Sequence, residues 1–224
     1  MRITLTDKTV FVACTTIFLT FLINSKLGSI WILYLNVLMT AGVWGYAIRR
    51  WDEFSHLSRS AIFGAIASIT YLPMDWAFSH QIGLISYLRP DIPWMRAVPF
   101  SLLLTRMITI TIIIYLYQRL HSVRGRLISA GITGVMAFIG STVLDQLGSA
   151  RLWNWNAVRL AHFLYIGSVP AFVPIALFLA FLLSPYYFYR SHIIIAGIRC
   201  GIFMGAIQFL CFVLFYFFMP ILLR

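Results

Sequence analysis

Asp75 and Asp145 stand 70 positions apart in a 224-residue chain that has only 6 acidic residues, and each closes an apolar run. Hydrocarbon does not solvate charge, so an ionisable side chain at membrane depth is expensive and by default a functional candidate. A carboxyl group in a water-poor pocket keeps its proton more readily than in water, and a protonated carboxyl at neutral pH can serve as a general acid. The plainer alternative is an ion pair with an arginine at the membrane rim. Arg106, about eight residues into the fourth apolar run, is the most deeply placed positive charge. It could pair with either aspartate, leaving the other as the better acid. Asp75, Asp145 and Arg106 are therefore the candidate catalytic set.

The polar segments that follow the two acids are rich in aromatic residues: Trp76, Tyr87 and Trp94 after the first, Trp153 and Trp155 after the second. Such residues form belts at bilayer interfaces, and their π faces can also shield a carbocation. Asn154 and Asn156 beside them are polar groups that a belt does not need, and His80 and His162 fall near the same surface. Trp76, His80, Tyr87, Trp153, Asn154, Trp155 and His162 are the candidate substrate-binding residues. The 5 histidines are dispersed, with no HxxxH or HExxH spacing, so no metal site is expected. Cys14, Cys200 and Cys211 have no metal or redox spacing either. Walker A, GxSxG and Gly-rich nucleotide loops are missing, and the only lysines, Lys8 and Lys26, are misplaced for a retinal Schiff base. No cofactor is expected.

The elements that position these residues follow from hydropathy. The chain is 61% hydrophobic and 10% charged, the composition of an all-α polytopic membrane protein. Apolar stretches at about 9–25, 28–48, 60–78, 98–118, 127–147, 160–183 and 198–222 each approach the roughly 20 residues of a spanning helix, which predicts seven. The net charge of +11 sits singly or in pairs at helix ends, the pattern of a topology signal and not of a nucleic-acid surface. Ten basic residues (Arg2, Lys8, Arg49, Arg50, Arg59, Arg119, Arg124, Arg126, Arg190, Arg199) fall on the side of the N-terminus, against 6 (Lys26, Arg89, Arg96, Arg151, Arg159, Arg224) on the other. The positive-inside rule then predicts a cytoplasmic N-terminus and a non-cytoplasmic C-terminus, in an inner or plasma membrane of bacterial type.

The segment "SAIFGAIASITYLPMD" (60–75) aligns with "AGITGVMAFIGSTVLD" (130–145), matching Gly64 with Gly134, Ala67 with Ala137 and Asp75 with Asp145. A proline-bearing segment follows each, "AVPFSLLL" at 97–104 and "SVPAFVPI" at 168–175, and "AGIRCGIFMGA" at 196–206 is a weaker third copy with Gln208 in place of an acid. The expected plan is a single domain: a leading helix at 9–25, then hairpin repeats over about 28–78, 98–147 and 160–222. Gly64, Ser68, Tyr71 and Asp75 share one helical face, as do Gly134, Phe138, Ser141 and Asp145, so both acids should point inward at similar depth.

"LDQLGSARLWNWN" (144–156) followed by "YIGSVPAFVPIALF" (165–178) resembles a pattern of membrane carotenoid-biosynthesis proteins, the carotenoid hydratase and lycopene cyclase-domain type. In that pattern an Asp is followed by a Gly-containing turn, Trp-x-Trp and a helix start bearing Gly and Pro, here Asp145, Trp153, Trp155, Gly167 and Pro170. The paired glutamates of the cyclase domain are replaced by Ala171, Phe172, Val173 and Pro174, and no proline follows Asp145. The resemblance implies duplicated hairpins around a hydrophobic isoprenoid, with an acid that protonates a terminal double bond to start cyclisation, hydration or isomerisation. The alternatives are a transporter whose helix 6 flexes at Pro170 and Pro174, or a scaffold that binds lipid or pigment.

Overall fold

The computed structural model describes residues 3–50, 55–88, 91, 98–149, 151–188 and 192–222. Among the described residues six helices are long and apolar enough to cross a membrane: α1 (Leu5–Leu27), α2 (Ile30–Arg50), α3 (Ser55–Trp76), α4 (Phe100–Arg124), α5 (Arg126–Gly148) and α8 (Ile193–Leu222). The chain is thus an all-α, multi-pass membrane protein. Two shorter helices, α6 (Phe172–Leu182) and α7 (Ser184–Tyr187), lie between α5 and α8.

The stretch 160–183, expected to be one spanning helix, is different. It begins with turns and a small antiparallel hairpin, β3 (Tyr165–Ile166) paired with β4 (Val169–Pro170), and only 11 of its positions, Phe172–Leu182, are helical, as α6. Gly167 adopts φ 65° in the hairpin turn, a conformation that side chains disfavour, and Pro170 cannot donate a helical hydrogen bond. Pro170 therefore lies in β4, and Pro174 lies in the first turn of α6, where a proline is tolerated. Neither kinks a helix interior, which removes the expected hinge.

Helix ends are set by local chemistry. Thr4 and Asp7 close a reciprocal capping box at the start of α1, and Gly28, at φ 61°, ends the helix with its N–H donated to the Asn24 carbonyl. Asp7 also receives Nε and Nη2 of Arg119 at 2.9 and 2.7 Å and the Tyr115 hydroxyl at 2.9 Å, which ties the start of α1 to the end of α4. Asp91 accepts the free N–H groups of Phe100 and Ser101 at 2.7 and 2.8 Å and the Tyr34 hydroxyl at 2.9 Å, capping α4 from a distance and joining it to α2.

α3 lies between α4 and α8, and small residues allow the approach. A Cβ on Gly64 would sit 2.3 Å from Thr111 Oγ1 of α4, and one on Gly201 would sit 2.6 Å from the Ala67 carbonyl of α3. Gly134, the repeat partner of Gly64, serves α5 in the same way, since its Cβ would lie 3.0 Å from the Phe178 carbonyl of α6. Small-residue contacts of this kind let membrane helices pack by dispersion where lipid offers no hydrophobic drive. Each acid-bearing helix thus packs extensively against the helix that follows it, α3 against α4 and α5 against α6, and α3 packs as extensively against α8.

Candidate functional site

The end of the bundle that carries both acids is closed by the segments between the helices. α3 continues through one π-helical turn, Ala77–Gln81, so Asp75 lies 6 residues before the end of that continuous run. Arg106 lies 6 residues after the start of α4. At 1.5 Å per residue both sit about 9 Å inside, and the equal depth lets them meet. Asp75, only 6% exposed, forms an ion pair with Arg106, whose side chain is 24% exposed. The Arg106 guanidinium also lies over the Tyr71 ring, 4.7 Å from its centroid. The Tyr71 hydroxyl donates in turn to Oε1 of Gln208 on α8.

Above this pair, β1 (Ile85–Tyr87) and β2 (Trp153–Trp155) form an antiparallel ladder in the register Ile85↔Trp155, Ser86↔Asn154, Tyr87↔Trp153. The segments that follow the two repeated acids are therefore bonded directly to each other. Strand alternation sends Ile85, Tyr87, Trp153 and Trp155 to the inward face and leaves Ser86 and Asn154 exposed. Tyr87 accepts a hydrogen bond from Arg106. Burial, and then the negative charge of Asp75 and Asp145, push the Tyr87 phenol up, so it stays neutral. Trp153 packs under Gly148 and edge-on to Phe21 of α1, and Trp155 packs edge-on to Phe172 of α6. Both indole N–H groups are buried with no hydrogen-bond partner among the described residues.

Asp145 is 3 residues from the end of α5 and half-buried. It lies within electrostatic reach of both Arg106 and Asp75. Its carboxyl receives no hydrogen bond among the described residues. Two carboxyls thus share one guanidinium, and the guanidinium is committed to Asp75.

The structure gathers Asp75, Asp145, Arg106, Tyr87, Trp153 and Trp155 into one region. Trp76, 46% exposed, stacks on His80 at the outer rim with ring centroids 6.1 Å apart, and His162 is exposed. Among the described residues no side-chain hydrogen bond, ion pair or ring contact joins Trp76, His80, Asn154 or His162 to the Asp75–Arg106 pair, and Trp94 lies outside the described residues. Asn156 stitches the cap: its amide donates to the Gly83 carbonyl at 3.0 Å, and its backbone N–H to the Leu84 carbonyl at 2.8 Å. Tyr71 and Gln208 are additions to the site. Tyr71 was visible on the Asp75 face and Gln208 in the acid's place of the third repeat copy, while the glycines at 197, 201 and 205 signal the approach of α8 to α3. Among the described residues no group of three or more His, Cys, Asp or Glu side chains is placed to hold a metal ion.

The family described as a domain of unknown function (DUF6989) matches residues 72–219, a span that includes Asp75, Arg106, Asp145, the β1–β2 ladder and Gln208. No curated protein and no solved structure matches the chain.

Proposed function

The chain belongs to the DUF6989 family, whose description assigns no activity, and we propose that it is a membrane enzyme that protonates a hydrophobic isoprenoid to start cyclisation, hydration or isomerisation. One observation carries this reading: two carboxyls lie within electrostatic reach of a single partly buried guanidinium, which is already paired with one of them. A site with two acids and one cation is balanced when one acid keeps its proton. Asp75 is locked by Arg106 and nearly inaccessible, so the proton belongs on Asp145, which is half-buried and receives no hydrogen bond among the described residues.

In this mechanism the Asp145 O–H bond breaks as the alkene π pair takes the proton, giving a new C–H bond, a tertiary carbocation and a carboxylate. The cation then closes on a second double bond and loses a proton, or captures water. In either case one proton returns to Asp145, and no redox cofactor is consumed. Trp155 and Tyr87 on the inward face of the ladder offer aromatic faces to the cation, and Trp153, opposite Tyr87 on the same face, packs beside them. Arg106 positions Asp75 and sets the charge that decides which acid is protonated.

The membrane arrangement belongs to the same proposal. The Phe188 ring stacks on Phe63 and Tyr117 at the far end of α3 and α4, so the chain from Leu160 to Phe188 traverses the bundle. It supplies a seventh, partly non-helical crossing, which keeps the N-terminus cytoplasmic and the C-terminus outside as the basic residues require.

The test is mass spectrometry of lipid extracts from a host that makes C15 to C40 isoprenoids and expresses the wild type or Asp145→Asn. A cyclised, hydrated or isomerised product confined to the wild type supports the reading. Identical extracts, with both proteins verified in the membrane, reject it.

A further inference from the structure

At the end of the bundle opposite the aspartates, the first turns of α3 and α5 and the last turns of α4 surround a cavity of about 600 Å³, with Pro185 and Phe188 completing its wall. Four basic side chains line it: His56 and Arg59 from α3, His121 from α4 and Arg126 from α5. Neither Arg59 nor Arg126 is paired with a carboxylate among the described residues, and both are exposed at the mouth. The floor is fixed and uncharged. Tyr117 is buried, stacks on Phe188 at 5.7 Å and lies 5.8 Å from the His121 ring. Gln118 donates to Ser60 Oγ at 3.0 Å and holds His56 Nδ1 at 3.2 Å through its Oε1, so the imidazole is oriented and not free to rotate.

A topology signal requires only that basic residues lie on one side of the membrane. It does not require two arginines and two histidines from three helices to converge on a walled cavity, nor an amide dedicated to orienting one of them. We propose that this cleft is an anion site for a phosphoryl group. Arginine binds phosphate oxygens bidentately, and the N-terminal turns of α3 and α5 add the positive ends of two helix dipoles. The cavity is large enough for a diphosphate or for the glycerol phosphate of a lipid headgroup. Its place at a helix-end surface makes both sources accessible. The inference stands apart from the acid chemistry at the other end and survives if that chemistry is refuted.

The test uses the full chain purified in dodecyl maltoside and reconstituted in nanodiscs. Inorganic diphosphate is titrated against the melting temperature in detergent, and native mass spectrometry counts lipids retained from nanodiscs of phosphatidylcholine with or without phosphatidic acid. Stabilisation by diphosphate identifies a free-anion site; retention of phosphatidic acid without a response to diphosphate identifies a headgroup site. In either case Arg59→Gln with Arg126→Gln is expected to weaken binding about tenfold or more, whereas Arg124→Gln, an exposed arginine of the same end outside the cleft, leaves it unchanged. Each single variant is measured as well, so a folding defect in the double variant does not decide the result. The proposal is overturned if neither probe binds the wild type, or if both Arg59→Gln and Arg126→Gln bind as the wild type does.

Discussion

Removing the positive charge at position 106 should be among the most damaging single changes this fold can suffer at one side chain. In Arg106→Met the apolar length of the side chain is retained, but Asp75, only 6% exposed, loses its counter-ion. The carboxylate must then hold an unpaired buried charge or take up a proton. Protonating an ordinary carboxyl of pKa about 3.9 at pH 7 costs about 1.36 × 3.1, or about 4 kcal/mol, which sets the ceiling. Loss of the guanidinium over Tyr71 and of its bond to Tyr87 adds to the cost. A total of about 3–5 kcal/mol is expected, the range for breaking a buried pair from one side. Asp75→Asn should be milder, about 1–2 kcal/mol, because the partly exposed arginine can extend toward water. With Arg106→Met and Asp75→Asn combined, no orphaned charge remains, so the double variant should be more stable than the sum of the singles by about 2 kcal/mol. Unfolding in mixed dodecyl maltoside and SDS micelles, followed by tryptophan fluorescence, gives all three values. A cost below about 1 kcal/mol for Arg106→Met, with no coupling to Asp75→Asn, would refute the reasoning.

Three further perturbations follow from local geometry. Gly64→Ala places a methyl 2.3 Å from Thr111 Oγ1 and 2.6 Å from the Met107 carbonyl, and should lower stability in the same assay by about 1–3 kcal/mol; Gly134→Ala, with its nearest contact at 3.0 Å, should cost less. At Asp91, burial alone would raise the carboxyl, but the N–H groups of Ser101 and Phe100 and the Tyr34 hydroxyl outweigh it and hold the group below the usual carboxylate range. Its contribution is therefore complete above the unfolded pKa, about 4, and is lost as pH falls through the lower folded value, so melting temperatures from pH 7 to 3 should fall less steeply in Asp91→Asn. Tyr71→Phe and Gln208→Leu break the same hydrogen bond, at about 1 kcal/mol each, and combining them should cost little more than the larger single change.

The membrane class was legible because it rests on bulk composition, and the inward faces of α3 and α5 because Gly64, Tyr71 and Asp75 repeat at helical spacing. The pairing of Arg106 with an aspartate was legible as a choice between two partners; depth along α3 and α4 decides it for Asp75, and that depth depends on the π turn beyond Trp76. Hydropathy failed over 160–183 because an apolar hairpin and an apolar helix have the same mean. The distinguishing signals were Gly167 and Pro170, read there as a helix start. The W-N-W alternation at 153–155 was itself a strand signal, and the ladder it forms explains why Trp153 and Trp155 turn inward while Asn154 does not. Trp76 and His80 were grouped with the site by sequence proximity, whereas the helical turn carries them to the outer rim.

The central claim is that Asp145 delivers a proton to carbon, and solvent isotope labelling tests it most directly. Cells that express the wild type in an isoprenoid-producing host are shifted to deuterated medium after the substrate has accumulated, and product masses are compared with those from Asp145→Asn. The account requires at least one deuteron on carbon in the wild-type product and no product from Asp145→Asn. A product that forms without deuterium on carbon, or one that forms equally with Asp145→Asn, would contradict it.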